Sequence, residues 1–96
     1  MTTTARATVQ HEDDRLRVTR WDFDPGQSTG RHVHEYDYVV VPVTDGRTDV
    51  ITPDGTVTSS QLRAGESYAR EAGAEHEVVN AGSLPLSFVE VEVKRV

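Results

Sequence analysis

The chain has 96 residues, enough for one domain with one core and too few for a second, separate substrate domain, so any active site must lie inside that core or between subunits. Sixteen acidic residues against ten basic ones give a formal charge of -6, which disfavours phosphate backbones and anionic lipid surfaces and sets nucleic acid and membranes aside as partners. Cysteine is absent, so disulfides, thiolate ligands and a cysteine nucleophile are excluded, and any metal must be held by nitrogen and oxygen.

In chain order, residues 1–6 read as a loosely held terminus with no apolar stretch behind it. Glu12-Asp13-Asp14 is an acidic turn between two strands. Leu16 to Phe23 alternates in the manner of a strand, and Pro25-Gly26 stops it. From Arg31 to Val43 the chain is rich in β-branched and aromatic residues, which suit a pleated surface. Asp45-Gly46 and Asp54-Gly55 both read as tight turns with positive φ, joining strands at Thr48 to Thr52 and Thr56 to Leu62. Ala64-Gly65 and Ala72-Gly73 punctuate the next connections. The final run, Leu86 to Val93, puts Phe88, Glu90 and Glu92 on one side and Val89, Val91 and Val93 on the other.

No segment carries helical apolar spacing over ten residues, and no window approaches the roughly 20 apolar residues of a membrane span. The expectation is a single all-β domain over residues 1–96, closed as a sandwich or barrel, in a soluble cytoplasmic protein.

The histidines carry the functional signal. His32 and His34 are two apart and share a face of an extended segment. A third, His76, lies in the stretch from Gly65 to Asn80. Neutral imidazoles suit first-row transition metals. Gly26, five residues, His32-Val33-His34 and then Gly46 follow the spacing G-x5-H-x-H-x(3,4)-E-x6-G. Gly65, Gly73, His76 and Asn80 fall on G-x5-P-x-G-x2-H-x3-N, with Glu71 in the proline's place. Two motifs in the correct order make this far more specific than a lone H-x-H.

In these residues, over positions 16 to 93, the chain resembles the cupins, small jelly-roll β-barrels with a metal in the mouth. The run His34 to Pro42 also resembles a subgroup that includes proteins named for β-alanine degradation. The resemblance implies metal ligation by His32, His34 and His76. The first motif's glutamate, usually a ligand in cupins, is missing: its slot holds Tyr38 or Val39. Unbroken alternation turns Glu35 and Asp37 away from the histidine face, with Asp37 the reserve ligand if a bulge intervenes. Tyr38 shares the histidine face, either as barrel lining or as a phenol that orients substrate or gives a proton. Tyr36 reads as lining, Asn80 as a structural amide, and His11 as solvated. Tyr68 and Arg70 share a face that suits an anion or, for Arg70 equally, open solvent.

The functional expectation is a three-histidine site for one divalent transition ion, iron, zinc, manganese or nickel. It would serve a dioxygenase-like enzyme, or an isomerase or lyase, acting on a small polar organic molecule. The alternative is a non-catalytic module that binds a small ligand or a structural metal. A homodimer through Val89, Val91 and Val93 or through a strand near Val9 is also expected.

Overall fold

The computed structural model describes residues 3–94. Nine strands form two antiparallel sheets: β1 Arg6–Glu12, β2 Leu16–Phe23, β3 His32–Val33, β4 Asp37–Pro42, β5 Gly46–Ile51, β6 Val57–Leu62, β7 Tyr68–Arg70, β8 Glu75–Asn80 and β9 Leu86–Val93. One sheet runs β1-β2-β9-β4-β7 and the other β3-β8-β5-β6. Among the described residues there is no helix, and none long and apolar enough to cross a membrane.

Alternation explains the central strands and also their chemistry. Along β9 one face reads Leu86, Phe88, Glu90, Glu92, all buried and passing from apolar to acidic, while on the other Ser87 is buried and Val89, Val91 and Val93 are only half-buried. The antiparallel neighbour β2 carries Phe23 at the apolar end, and its polar end brings Thr19 opposite Glu90 and Arg17 opposite Glu92. On the other flank β4 sets Val40 against Glu90 and Tyr38 against Glu92. In the facing sheet β8 steps from Asn80 through Val78 to His76. The barrel therefore has an apolar floor and a polar mouth. Phe23, Leu62, Val40, Val78, Leu86 and Phe88 fill the floor, with Phe23 and Phe88 ring centroids 5.4 Å apart. Each large side chain so buried contributes roughly 2 kcal/mol.

Two expectations are corrected. Asp45-Gly46 is not a hairpin turn: β4 and β5 belong to different sheets, and Gly46 is not among the positive-φ glycines. Glycine is needed there because a Cβ would overlap the side chain of Leu86. Asp54-Gly55 does make the β5–β6 hairpin, with Gly55 at φ 87° and the Asp54 carboxylate accepting from Thr56 N at 3.0 Å. The described part of the terminus is tied down rather than loose. Ala5 is buried and donates its N–H to Ser28 O at 2.8 Å, and Thr3 O accepts from Ser28 N at 2.9 Å. Residues 1 and 2 of that expected loose end lie outside the described residues.

Asn80 closes the floor. Its amide nitrogen donates to Leu84 O at 2.9 Å and Phe23 O at 3.4 Å, and its Oδ1 accepts from Gly82 N at 3.0 Å. It is 1 % exposed, so Asn80→Ala strands backbone groups without water. That variant is expected to lose on the order of 3 kcal/mol in urea unfolding, and an unchanged midpoint would refute this structural role.

Candidate metal centre

His32 and His76 are direct antiparallel partners across β3 and β8, so their side chains leave the same face. His34 lies just past the end of β3. Its backbone is fixed by the Ala72-Gly73 turn: His34 N donates to Ala74 O at 2.9 Å, and Gly73 N donates to His34 O at 2.8 Å. The three rings converge. His34 Nε2 stands 3.0 Å from His32 Nε2 and 3.1 Å from His76 Nε2, and the rings meet edge-on at 78° to 81°. These three residues form a group able to hold a metal ion.

The donor set fits such an ion. Two nitrogens that share a metal at about 2.1 Å each stand about 3.0 Å apart at a right angle and about 3.4 Å apart at the tetrahedral angle, and both short separations lie at the lower end of that range. His32 Nδ1 lies 3.0 Å from Gly30 O, a contact that places the proton on Nδ1 and leaves the Nε2 lone pair free. Burial first, then the neighbouring rings, push His34 down to about 4; burial and the His32 ring push His76 down to about 4. Both are neutral near pH 7, the state a ligand requires.

Tyr38 lies flat on His34, with ring centroids 3.8 Å apart and 16° between planes. Burial pushes its phenol up to about 12, so it keeps its proton. Tyr38, one of the two residues at the missing glutamate's slot, thus holds the His34 ring in place. Glu35 and Asp37 are exposed, and Asp37 Oδ1 accepts from Ala72 N at 2.8 Å, capping the turn. Tyr36 does not line the interior: it is half-buried, with the Arg17 guanidinium 6.0 Å from its ring centre. His11 is exposed and pairs with Asp13 at 2.8 Å.

Sequence reasoning passed over Glu90. Its Oε1 accepts from Trp21 Nε1 at 3.1 Å, and its Oε2 lies 3.9 Å from His34 Nε2. Burial pushes this carboxyl up to about 7. The available signal was its alternation with Phe88, which puts it on the inner face. Glu92, the next inward acid, is instead clamped by Arg17 through bonds of 2.8 and 2.9 Å.

Two cavities meet at this cluster. One, of about 230 Å³, has Tyr38, Tyr68, Arg70, His76 and Glu90 above an apolar floor that includes Val40, Leu62 and Phe88. The other, of about 310 Å³, is bounded by Arg17, Trp21, His32, His34 and Glu90. Arg70 leans over the Tyr68 ring, 4.5 Å from its centre, at the rim of the first.

Residues 19–92 match the family described as the cupin domain. The chain is a cupin. It is 49% identical over 87 residues to the β-alanine degradation protein BauB of Pseudomonas aeruginosa, a match covering 91% of this chain and 90% of the relative. A cupin domain from Bordetella pertussis superposes with a TM-score of 0.91 at 47% identity, covering 96% of this chain and 95% of that one. A double-stranded β-helix protein from Klebsiella pneumoniae follows at 0.78 and 27%, covering 95% and 77%. The jelly-roll fold read from the two motifs is thereby established.

Proposed function

We propose that this cupin is a metal-dependent enzyme of dioxygenase-like type, acting on a small organic acid. His32, His34 and His76 would hold one divalent ion of iron, zinc, manganese or nickel. Supporting this is the approach of the three Nε2 atoms at the head of a cavity. Bound there, the ion would supply a Lewis acid with positions left open to substrate.

The protein's own residues then set the substrate. A cavity of about 230 Å³ admits only a small molecule, and its apolar walls exclude water from one side of it. Arg70 is the cation on that lining, placed to pair with a carboxylate at the rim. Tyr38, its phenol protonated, can donate a hydrogen bond to the bound molecule. The Pseudomonas relative is named for degradation of β-alanine, itself a small carboxylate. A homodimer joined at the exposed edge strand β1, where Val9 is 55% exposed, or across the outer valines of β9 completes the reading.

The test is a turnover screen on small organic acids and diketones with iron, manganese, nickel, cobalt or zinc restored. Metal-dependent consumption of an acid is expected, with Arg70→Ala raising KM roughly tenfold or more, as loss of a charge-assisted hydrogen bond predicts. Tight metal binding with no turnover on any of them would favour the non-catalytic binding module instead.

A further inference from the structure

The three histidines leave an open question of charge. Glu90 is 7% exposed, and Thr19 and Val40 flank it across the sheet. A carboxylate so placed is expensive to ionise without a compensating cation. Trp21 satisfies Oε1 alone. Oε2 faces the histidine cluster, 3.9 Å from His34 Nε2. Arg17, the nearest cation on the neighbouring strand, is committed to Glu92.

Geometry allows Oε2 to share an ion with His34. Two donors each about 2.1 Å from one metal stand at most about 4.2 Å apart, and 3.9 Å is inside that limit. Direction agrees as well. Glu90 lines both cavities that meet at the cluster, whereas Glu35 and Asp37 are exposed and the first motif's acidic slot holds Tyr38 or Val39, neither of them a carboxylate.

We infer that Glu90 Oε2, delivered from β9, is a fourth protein ligand beside His32, His34 and His76. This rests on the metal-binding reading above. One anionic oxygen would halve the net charge of a divalent centre and tilt it towards ions that accept mixed imidazole and carboxylate donors, such as iron or manganese.

Glu90→Gln is the decisive variant, since glutamine keeps an oxygen to accept from Trp21 while removing the anionic donor. Affinity for cobalt(II) is measured by competition with a chromophoric chelator, alongside the visible spectrum of the cobalt form and the melting temperature of the metal-free protein. Native protein is expected to bind one ion. Glu90→Gln and Glu90→Ala are expected to bind at least tenfold more weakly with a shifted cobalt spectrum, the metal-free melting temperature reporting that they are folded. Glu75→Gln removes an equal charge from the exposed side of β8, beside His76, and is expected to leave affinity and spectrum unchanged. If native protein binds cobalt and folded Glu90→Gln binds it equally well with the same spectrum, Glu90 is no ligand and the three-histidine reading stands. If native protein binds no metal, both readings fall.

Discussion

Alanine at position 76 is expected to weaken divalent-metal binding by two orders of magnitude while leaving the barrel folded. Removal even of residues that merely orient ligands lowers metal affinity about 10–100-fold, and His76 is a candidate ligand whose Nε2 stands 3.1 Å from that of His34. The fold should survive, because β8 is held by its ladder to β5 and by the buried Val78 and Asn80, not by the histidine ring.

Linkage turns this into a thermal measurement. An ion at 100 times its Kd stabilises a protein by about 2.7 kcal/mol, and weakening it 100-fold leaves about 0.4 kcal/mol. For a domain of this size that is a rise of roughly 10–20 °C against roughly 2 °C. Melting curves of native protein and His76→Ala, with and without iron(II) or zinc under inert gas, measure the difference. Equal rises in the two proteins would remove His76 from the site.

Much of this centre was legible because its signals are local or periodic. Alternation, with Pro25-Gly26 as the stop after Phe23, delimited β2 and β9, and two motifs with fixed intervals picked out the three histidines that the structure brings together. The failures have a common physical origin in contacts between sheets. Asp45-Gly46 has the composition of a hairpin turn, yet Gly46 is required by the packing of Leu86, a residue 40 positions away that no turn rule senses. Tyr38 looked like lining or an acid, and only the path of the chain after β3 lays it flat on His34. Glu90 was on the correct face by alternation, but an acid on a strand face is ordinarily solvated. Its burial follows from the polar mouth that β2, β4 and β9 build jointly.

The metal-free protein should lose stability on acidification between about pH 6.5 and 4.5, with a slope close to one proton. His34 and His76 are pushed down to about 4 in the fold, against an ordinary value of 6.5. In that window the unfolded chain takes up two protons that the native state refuses, so stability falls as pH falls. Glu90 acts in the opposite sense. Its folded value of about 7 exceeds the ordinary 4.5, so the native state holds a proton that the unfolded chain has released, and stability falls as pH rises from 4.5 towards 7. Two protons against one leaves one. The lowered carboxylates Glu12, Asp13, Asp22 and Asp54 titrate at or below the lower edge of this window, and there they add to the loss on acidification. Glu90→Gln removes the opposing group, so its slope should steepen to about two protons. The same variant should be more stable than native protein at pH 8, where glutamate must be buried ionised, and nearly equal to it at pH 4.5, where glutamate is neutral. Denaturant unfolding at pH 4.5, 5.5, 6.5 and 8 with chelator present gives both slopes. Parallel curves for the two proteins would mean that Glu90 is solvated, and a native curve flat from 6.5 to 4.5 would mean that the two imidazoles are as well.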